Sequence, residues 1–497
     1  MRYILSTDII VTALKQPDTF AALLNIAGQQ QLYICAGILP SIKDQITNEQ
    51  LVQFKQLIEQ LHLAKVPSYL DPVKLLNATD SSAYITNVAA PIVDAIVVTD
   101  QATDSKIESI SLAQLLTPAT DNHSNDIAFI NLKDQYHSLQ PQMEAAIDST
   151  LTSGQFIMGS AIDQFEHKLA EFTGAKHAIS CSSGSDALLL ALMAIDIQPG
   201  DEVIVPSFTF IASASMPALL GAKLVFIDVD PHSYNLDIKE LQTKVNAHTR
   251  AIIPVGLYGQ PAAMEQINQI AAKAAGQYGS EIHIIEDAAQ SLGGTYKGTQ
   301  SGNLSSLATT SFFPAKPLGA YGDAGAVFTN NDQLATKIKA LRIHGGLERY
   351  QHQYIGLNGR CDSVQAAILS VKLAHFPQEI ILREKIAQKY HTGLQNIDIV
   401  LPRIADGFTS SWAQYSIQVT DRESFIAHLN AAKIPCAIHY PLAAHLQPCF
   451  AKYGFTQGDF PVAEALSHKV VSLPFSPYLP GAQQDYIISV IQDYFSQ

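Results

Sequence analysis

From residue 127 onward the chain alternates short apolar runs with segments of helical apolar spacing. HAISC (177–181), DEVIVP (201–206), LVFIDVD (224–230), AIIPVGLYG (251–259) and IHIIEDAA (282–289) read as strands. Because these runs are nearly continuous in apolar residues, they fit strands covered on both faces, as in a parallel sheet. Between them, GSDALLLALMAI (184–195) and IASASMPALL (211–220) read as helices. The pattern shifts near 376, where EIILREKIAQKYHTGL (379–394) reads as a charged amphipathic helix and SWAQYSIQVT (411–420) as an alternating strand.

An earlier block has its own rhythm. RYILSTDIIVTAL (2–14) predicts a strand leading into a turn or helix, LYICAGIL (32–39) and DAIVVTD (94–100) predict two more strands, and LVQFKQLIEQLHLA (51–64) has helical spacing. The polar, proline-bearing TPATDNHSND (117–126) separates the blocks as a linker. The expected organisation is a small α/β domain at 1–116, a linker at 117–126, a large α/β domain at 127–375 and a smaller α+β domain at 376–497. The large domain should carry a mostly parallel central sheet covered by helices.

Composition narrows the function. The 497 residues are 47% hydrophobic and 15% charged, an ordinary globular balance. A net charge of −14 argues against a broad nucleic-acid or anionic-membrane surface. The five cysteines are scattered and form no CxxC or Cys/His cluster, so neither a zinc site nor a disulfide framework is indicated, and no metal is expected. No apolar run reaches membrane-spanning length. A cytoplasmic protein is the expectation.

Four features then carry chemistry. CSSGSDALLL (181–190) opens a helix with small residues, which suits a phosphate at the exposed N–H groups, although Ser-Gly-Ser is equally a common helix cap. HIIEDAAQS (283–291) brings Asp287 to the C-terminal end of a buried strand, where α/β sheets bind ligands. A buried carboxylate calls for a cation or protonated ring nitrogen, or else Asp287 caps a helix over AAQSLGG. FFPAKPLGAYGDAGA (312–326) sets Lys316 among apolar, proline and glycine residues, with Ser311 just before it. A desolvated lysine can be neutral and attack a carbonyl. PSFTFIASAS supplies Phe210 as a flat stacking partner. Lysine, aspartate and a helix-terminus cradle are what pyridoxal phosphate requires.

In GSDAL, PSFTF, IEDAAQS, SFFPAKPLG, YGDAGA and IGLNGRCDSVQAAIL, the chain resembles the DegT-type nucleotide-sugar aminotransferases, a fold-type I pyridoxal-phosphate family. The resemblance covers roughly the last three quarters of the chain. It implies that Lys316 forms the Schiff base with the cofactor and moves the proton, and that Asp287 holds the pyridine nitrogen protonated. It further implies that Gln290 and Phe210 pack on the two ring faces, and that Gly184, Ser185 and Ser311 hold the phosphate. Asn358 would reach that phosphate from a neighbouring subunit, which implies a homodimer with shared sites. A related dehydratase branch carries histidine in place of this lysine, so Lys316 favours amino transfer.

The form FFPAKPLGAYGDAGA resembles the branch that converts UDP-2-acetamido-2-deoxy-3-oxo-glucuronate to its 3-amino sugar. That implies glutamate as donor and a place in surface polysaccharide or lipopolysaccharide biosynthesis. Carboxylates on both substrates call for a bidentate guanidinium, for which Arg360 is the candidate. AIHYPLAAHLQP offers His439 and Tyr440 as substrate-facing residues, or as a buried turn. A 4-keto sugar substrate, and a regulatory or binding protein, are the alternatives.

The first and last strands of the N-terminal block resemble those of PIN-like domains, whose nuclease members gather carboxylates around a divalent metal. Asp8, Asp80 and Asp100 are the candidates, but LPSIKDQ follows LYICAGIL where an acidic residue belongs. A degenerate PIN-like domain serving folding, dimerisation or partner binding is the expectation.

Overall fold

The computed structural model describes residues 127–496 apart from Arg349, preceded by the backbone of five short strands. The chain divides into two compact units, 1–122 and 123–497. The strands of the first unit are β1 (Arg2–Leu5), β2 (Gln31–Cys35), β3 (His62–Ala64), β4 (Ala95–Val98) and β5 (Ser109–Ile110). They form one parallel sheet in the order β3-β2-β1-β4-β5. His62–Ala64, the tail of the segment read as helix, is strand because it pairs with Tyr33–Cys35. That pairing outweighs local spacing. Asp8, Asp80 and Asp100 lie outside the described residues.

In the second unit the helices before the site are α1 (Leu132–Ser153), α2 (Ser160–Thr173), α3 (Gly184–Ala194), α4 (Ala212–Leu219), α5 (Ile238–Lys244) and α6 (Met264–Tyr278). Its strands are β6 (His177–Cys181), β7 (Glu202–Pro206), β8 (Lys223–Ile227), β9 (Thr249–Ile252), β10 (His283–Asp287), the short pair β11 (Thr295–Tyr296) and β12 (Thr299–Gln300), β13 (Leu307–Ser311) and β14 (Gly325–Thr329). Seven of them form the central sheet, in the order β6-β14-β13-β10-β9-β7-β8. All pairings are parallel except those of β14, which runs against both β6 and β13. Every residue of β7 and β14 is buried, as expected for strands with helices on both faces.

Two long helices follow, α7 (Asp332–Leu341) and α8 (Ser363–Leu394). The boundary read at 375/376 falls inside α8, which passes through Pro377 without ending. Its first half places Ala366, Leu369, Leu373 and Phe376 in a core beside the central sheet. Its second half places Ala387, Tyr390 and Leu394 in a separate core with Tyr415, Phe425 and Ile487. A single helix therefore serves both cores, and a change in surface composition did not mark a break in it. The second core is completed by the antiparallel pair β15 (Tyr415–Gln418) and β16 (Val470–Leu473) and by α9 (Arg422–Ala431) and α11 (Gly481–Phe495), whereas α10 (Pro461–Lys469) packs Ala463 and Leu466 into the core around the central sheet. No described helix is long and apolar enough to cross a membrane.

Candidate active site

A cavity of about 400 Å³ opens at the C-terminal ends of the parallel strands. That edge is where strand ends hand over to loops and helix N-termini, so polar groups converge there without breaking the sheet. Neighbouring strand residues face opposite ways, and this separates the two acids at the end of β10. Glu286 turns away from the cavity. It accepts from Ser301 Oγ at 2.6 Å, Gly302 N at 3.1 Å and Leu304 N at 3.2 Å, and burial pushes its carboxyl up to about 7. It ties down the turn after β12. Asp287 lines the cavity instead.

Asp287 Oδ2 accepts from Ser213 Oγ at 2.8 Å, and Oδ1 accepts from the Ala289 amide at 3.1 Å. Burial raises its pKa, while those two donors and the charge of Lys316 oppose the rise. No helix follows Asp287, so it caps nothing. Lys316 shows the converse balance: burial lowers the pKa of its amine, and Asp287 alone opposes that. The residue as a whole is half-buried, and it lines the cavity. The cavity thus holds a carboxylate and an amine, each made costlier by dryness and each favoured by the other.

The Lys316 loop is rigidly built. Phe312 donates its amide to Ala324 O at 2.8 Å, Ala320 to Phe312 O at 2.7 Å and Lys316 to Phe313 O at 2.8 Å. Phe312 is fully buried, edge-on to Phe165 at 5.5 Å, and Pro317 and Leu318 are buried with it. Phe313 differs: it is 51% exposed and stands in the cavity wall. The glycines of this loop supply space, since none of Gly319, Gly322 and Gly325 has positive φ. A Cβ on Gly319 would lie 2.4 Å from Pro314 O.

Opposite the lysine, three segments meet as a cradle. Ser183 caps α3 by accepting from the Asp186 amide. The amides of Gly184 and Ser185 point off the helix start with no acceptor among the described residues. Such an end carries partial positive charge and suits an anion. Ser311 closes against it so tightly that a Cβ on Gly184 would lie 2.5 Å from Ser311 Cβ. Gly325 closes the third side, 2.3 Å from Ser183 O for a Cβ placed there.

The remaining wall comes from distant segments. Gln290 Oε1 accepts from the Tyr258 amide at 2.9 Å, and Gln290 Nε2 donates to the Tyr440 hydroxyl at 3.2 Å. The Tyr258 hydroxyl donates to His439 O. Phe210 stands at the mouth, its ring 5.9 Å from that of Tyr440. His439 Nδ1 lies 2.9 Å from Ser472 Oγ, and burial, helped by the charge of Lys316, pushes its ring down to about 4. The imidazole is therefore neutral at physiological pH.

The structure brings Gly184, Ser185, Phe210, Asp287, Gln290, Ser311, Lys316, His439 and Tyr440 to one cavity. Asn358 and Arg360 do not line it within the same chain: Asn358 is exposed, and Arg360 is half-buried with its Nε lacking a partner. Sequence reasoning missed Ser213 and Tyr258. Ser213 sits in the small-residue run directly after Phe210, where a hydroxyl one helical turn on was a readable signal. Tyr258 had none, because its role depends on a fold that brings 258, 290 and 439–440 together.

This arrangement fits pyridoxal phosphate, with an amine for the aldehyde, a buried carboxylate for the ring nitrogen and free amides for the phosphate. A family model described as the DegT/DnrJ/EryC1/StrS aminotransferase family matches residues 137–492. The chain belongs to this family. It is a pyridoxal-phosphate-dependent nucleotide-sugar aminotransferase. It is 47% identical over 365 residues to the UDP-2-acetamido-2-deoxy-3-oxo-D-glucuronate aminotransferase of Pseudomonas aeruginosa, covering 73% of this chain and 99% of that one. It is 40% identical over 373 residues to the "pleiotropic regulatory protein" of Geobacillus stearothermophilus, covering 74% and 99%. Among solved structures it resembles S. venezuelae DesV in complex with a ketimine intermediate. That match has a TM-score of 0.72 and 36% identity, covering 75% of this chain and 99% of that one.

Proposed function

We propose that the enzyme aminates C3 of a UDP-linked 3-keto sugar, UDP-2-acetamido-2-deoxy-3-oxo-glucuronate, using glutamate as donor. The product would feed surface polysaccharide synthesis. The observation that carries this reading is the 47% identity to the Pseudomonas enzyme of that name over nearly its whole length. Pyridoxal phosphate, when bound, supplies the electron sink and the carrier for the amino group. Asp287 keeps the proton on the ring nitrogen, Lys316 Nζ accepts and returns the migrating proton, and Gly184, Ser185 and Ser311 hold the phosphate. Gln290 and Phe210 confine the ring from its two sides.

A homodimer supports this chemistry best. Asn358 and Arg360 stay out of their own chain's cavity, and Arg360 keeps buried donor capacity unspent. In a shared site they would serve the partner, with the guanidinium forking onto the sugar or donor carboxylate. His439 and Tyr440 would face the sugar.

Purified enzyme is offered a panel of UDP-linked 3-keto and 4-keto sugars with glutamate, and 2-oxoglutarate is measured. Release confined to the 3-keto uronate supports the reading. Preference for a 4-keto sugar overturns the regiochemistry, and no release with glutamate overturns the donor.

A further inference from the structure

Lys372 is the most buried lysine of the described residues, only 2% exposed, yet it has no carboxylate within ion-pair distance. Its Nζ donates to the Gly319 carbonyl at 2.7 Å and lies 4.3 Å from the centre of the Tyr321 ring. Both partners belong to the loop that carries Lys316. A dry cation satisfied by one carbonyl and one aromatic face is an expensive arrangement, and it calls for a reason.

A second residue of α8 grips the same loop. Gln365 Oε1 accepts from the Tyr321 amide at 2.9 Å, and its Nε2 donates back to Tyr321 O at 3.4 Å. Gln365 and Lys372 lie two turns apart, so they share one face of the helix. The fit is close: a Cβ on Gly322 would sit 3.1 Å from Gln365 Nε2. The other charged and titratable neighbours are Glu379, further along α8, and Tyr136 of α1, whose ring lies 6.2 Å from that of Tyr321. Glu379 is already engaged by Gln135 and by the Tyr478 hydroxyl, so it steadies Lys372 only at a distance. Burial brings the Lys372 amine down to about 8.

We propose that Lys372 is a positioning residue for amino transfer: with Gln365 it clamps residues 319–321 to α8 and thereby fixes the direction in which Lys316 enters the cavity. The loop is otherwise held from its strand ends and through Phe312. Without the clamp its far side, after Lys316, keeps few polar attachments.

The inference rests on Lys316 being the residue that binds the cofactor, so Lys316→Ala is measured alongside. The test variants are Lys372→Met, which keeps length and removes the donor, Lys372→Arg, which keeps charge and donors, and Gln365→Leu. Hydrogen exchange is followed in peptides covering 312–325 of the cofactor-free protein, and the half-reaction with the amino donor is followed by stopped flow on the loaded enzyme. In Lys372→Met, exchange in 312–325 should rise about tenfold while β13 and α8 stay protected. The half-reaction rate should fall about tenfold with little change in the donor concentration needed for half-saturation. Gln365→Leu should show the same pattern more weakly, and Lys372→Arg should recover part of the protection.

Wild-type exchange and rate in both Lys372→Met and Gln365→Leu would overturn the clamp. If Lys372→Met does not fold, Gln365→Leu decides alone. A visible cofactor band that survives in Lys316→Ala would instead overturn the role of Lys316.

Discussion

Ser213 Oγ donates to Asp287 Oδ2 at 2.8 Å, joining the start of α4 to the end of β10 at the floor of the cavity. The bond favours the ionised carboxylate, which burial alone would disfavour. Ser213→Ala should therefore raise the pKa of Asp287 further. The acid limb of the kcat/KM profile should move to higher pH, and stability should fall by about 1 kcal/mol. An unmoved acid limb would show that this bond does not govern the ionisation of Asp287.

Lys316→Ala should abolish the visible band formed with pyridoxal phosphate and lower turnover by at least about a thousandfold. Absorbance and borohydride trapping with mass spectrometry check this directly. Trapping at another lysine would reassign the role.

Gly325 marks the tightest part of the cradle, where a Cβ would lie 2.3 Å from Ser183 O and 2.7 Å from the Gly184 amide. Both contacts are backbone and cannot swing aside. Gly325→Ala should destabilise the protein by about 1–3 kcal/mol and weaken cofactor binding together with it. Thermal unfolding and equilibrium dialysis measure the two effects.

His439 gives a pH dependence of definite sign. Its folded pKa is about 4 against an ordinary 6.5. Between those values the unfolded chain takes up a proton that the folded chain refuses, so acidification removes stability across that window. In cofactor-free His439→Asn, Tm should fall less steeply than in the wild type as pH drops from 6.5 toward 4. Equal slopes would show that the imidazole is not desolvated.

Sequence reading anticipated the cavity lining where chemistry is concentrated in contiguous residues. Asp287 at the end of an apolar strand, Lys316 between prolines and glycines, and Gly184-Ser185 at a helix start could each be seen locally. Reading failed where a residue's job is defined by contact. Nothing about Tyr258 indicated that its amide would orient Gln290. His62–Ala64 looked helical because the competing strand partner lies far away in the chain. The change of composition near 376 looked like a boundary, whereas α8 buries one half in each of two cores.

By itself the sequence determined the alternation that builds a parallel sheet, and the residue types able to bind an aldehyde, a ring nitrogen and a phosphate. These follow from local periodicity and side-chain chemistry. Only the tertiary structure decided how the groups behave. It turned Glu286 away while Asp287 faced the cavity, set the Lys316 amine where burial lowers its pKa, and set Lys372 against the back of its loop. Burial and proximity, which shift charge states and fix directions, are properties of the packed chain.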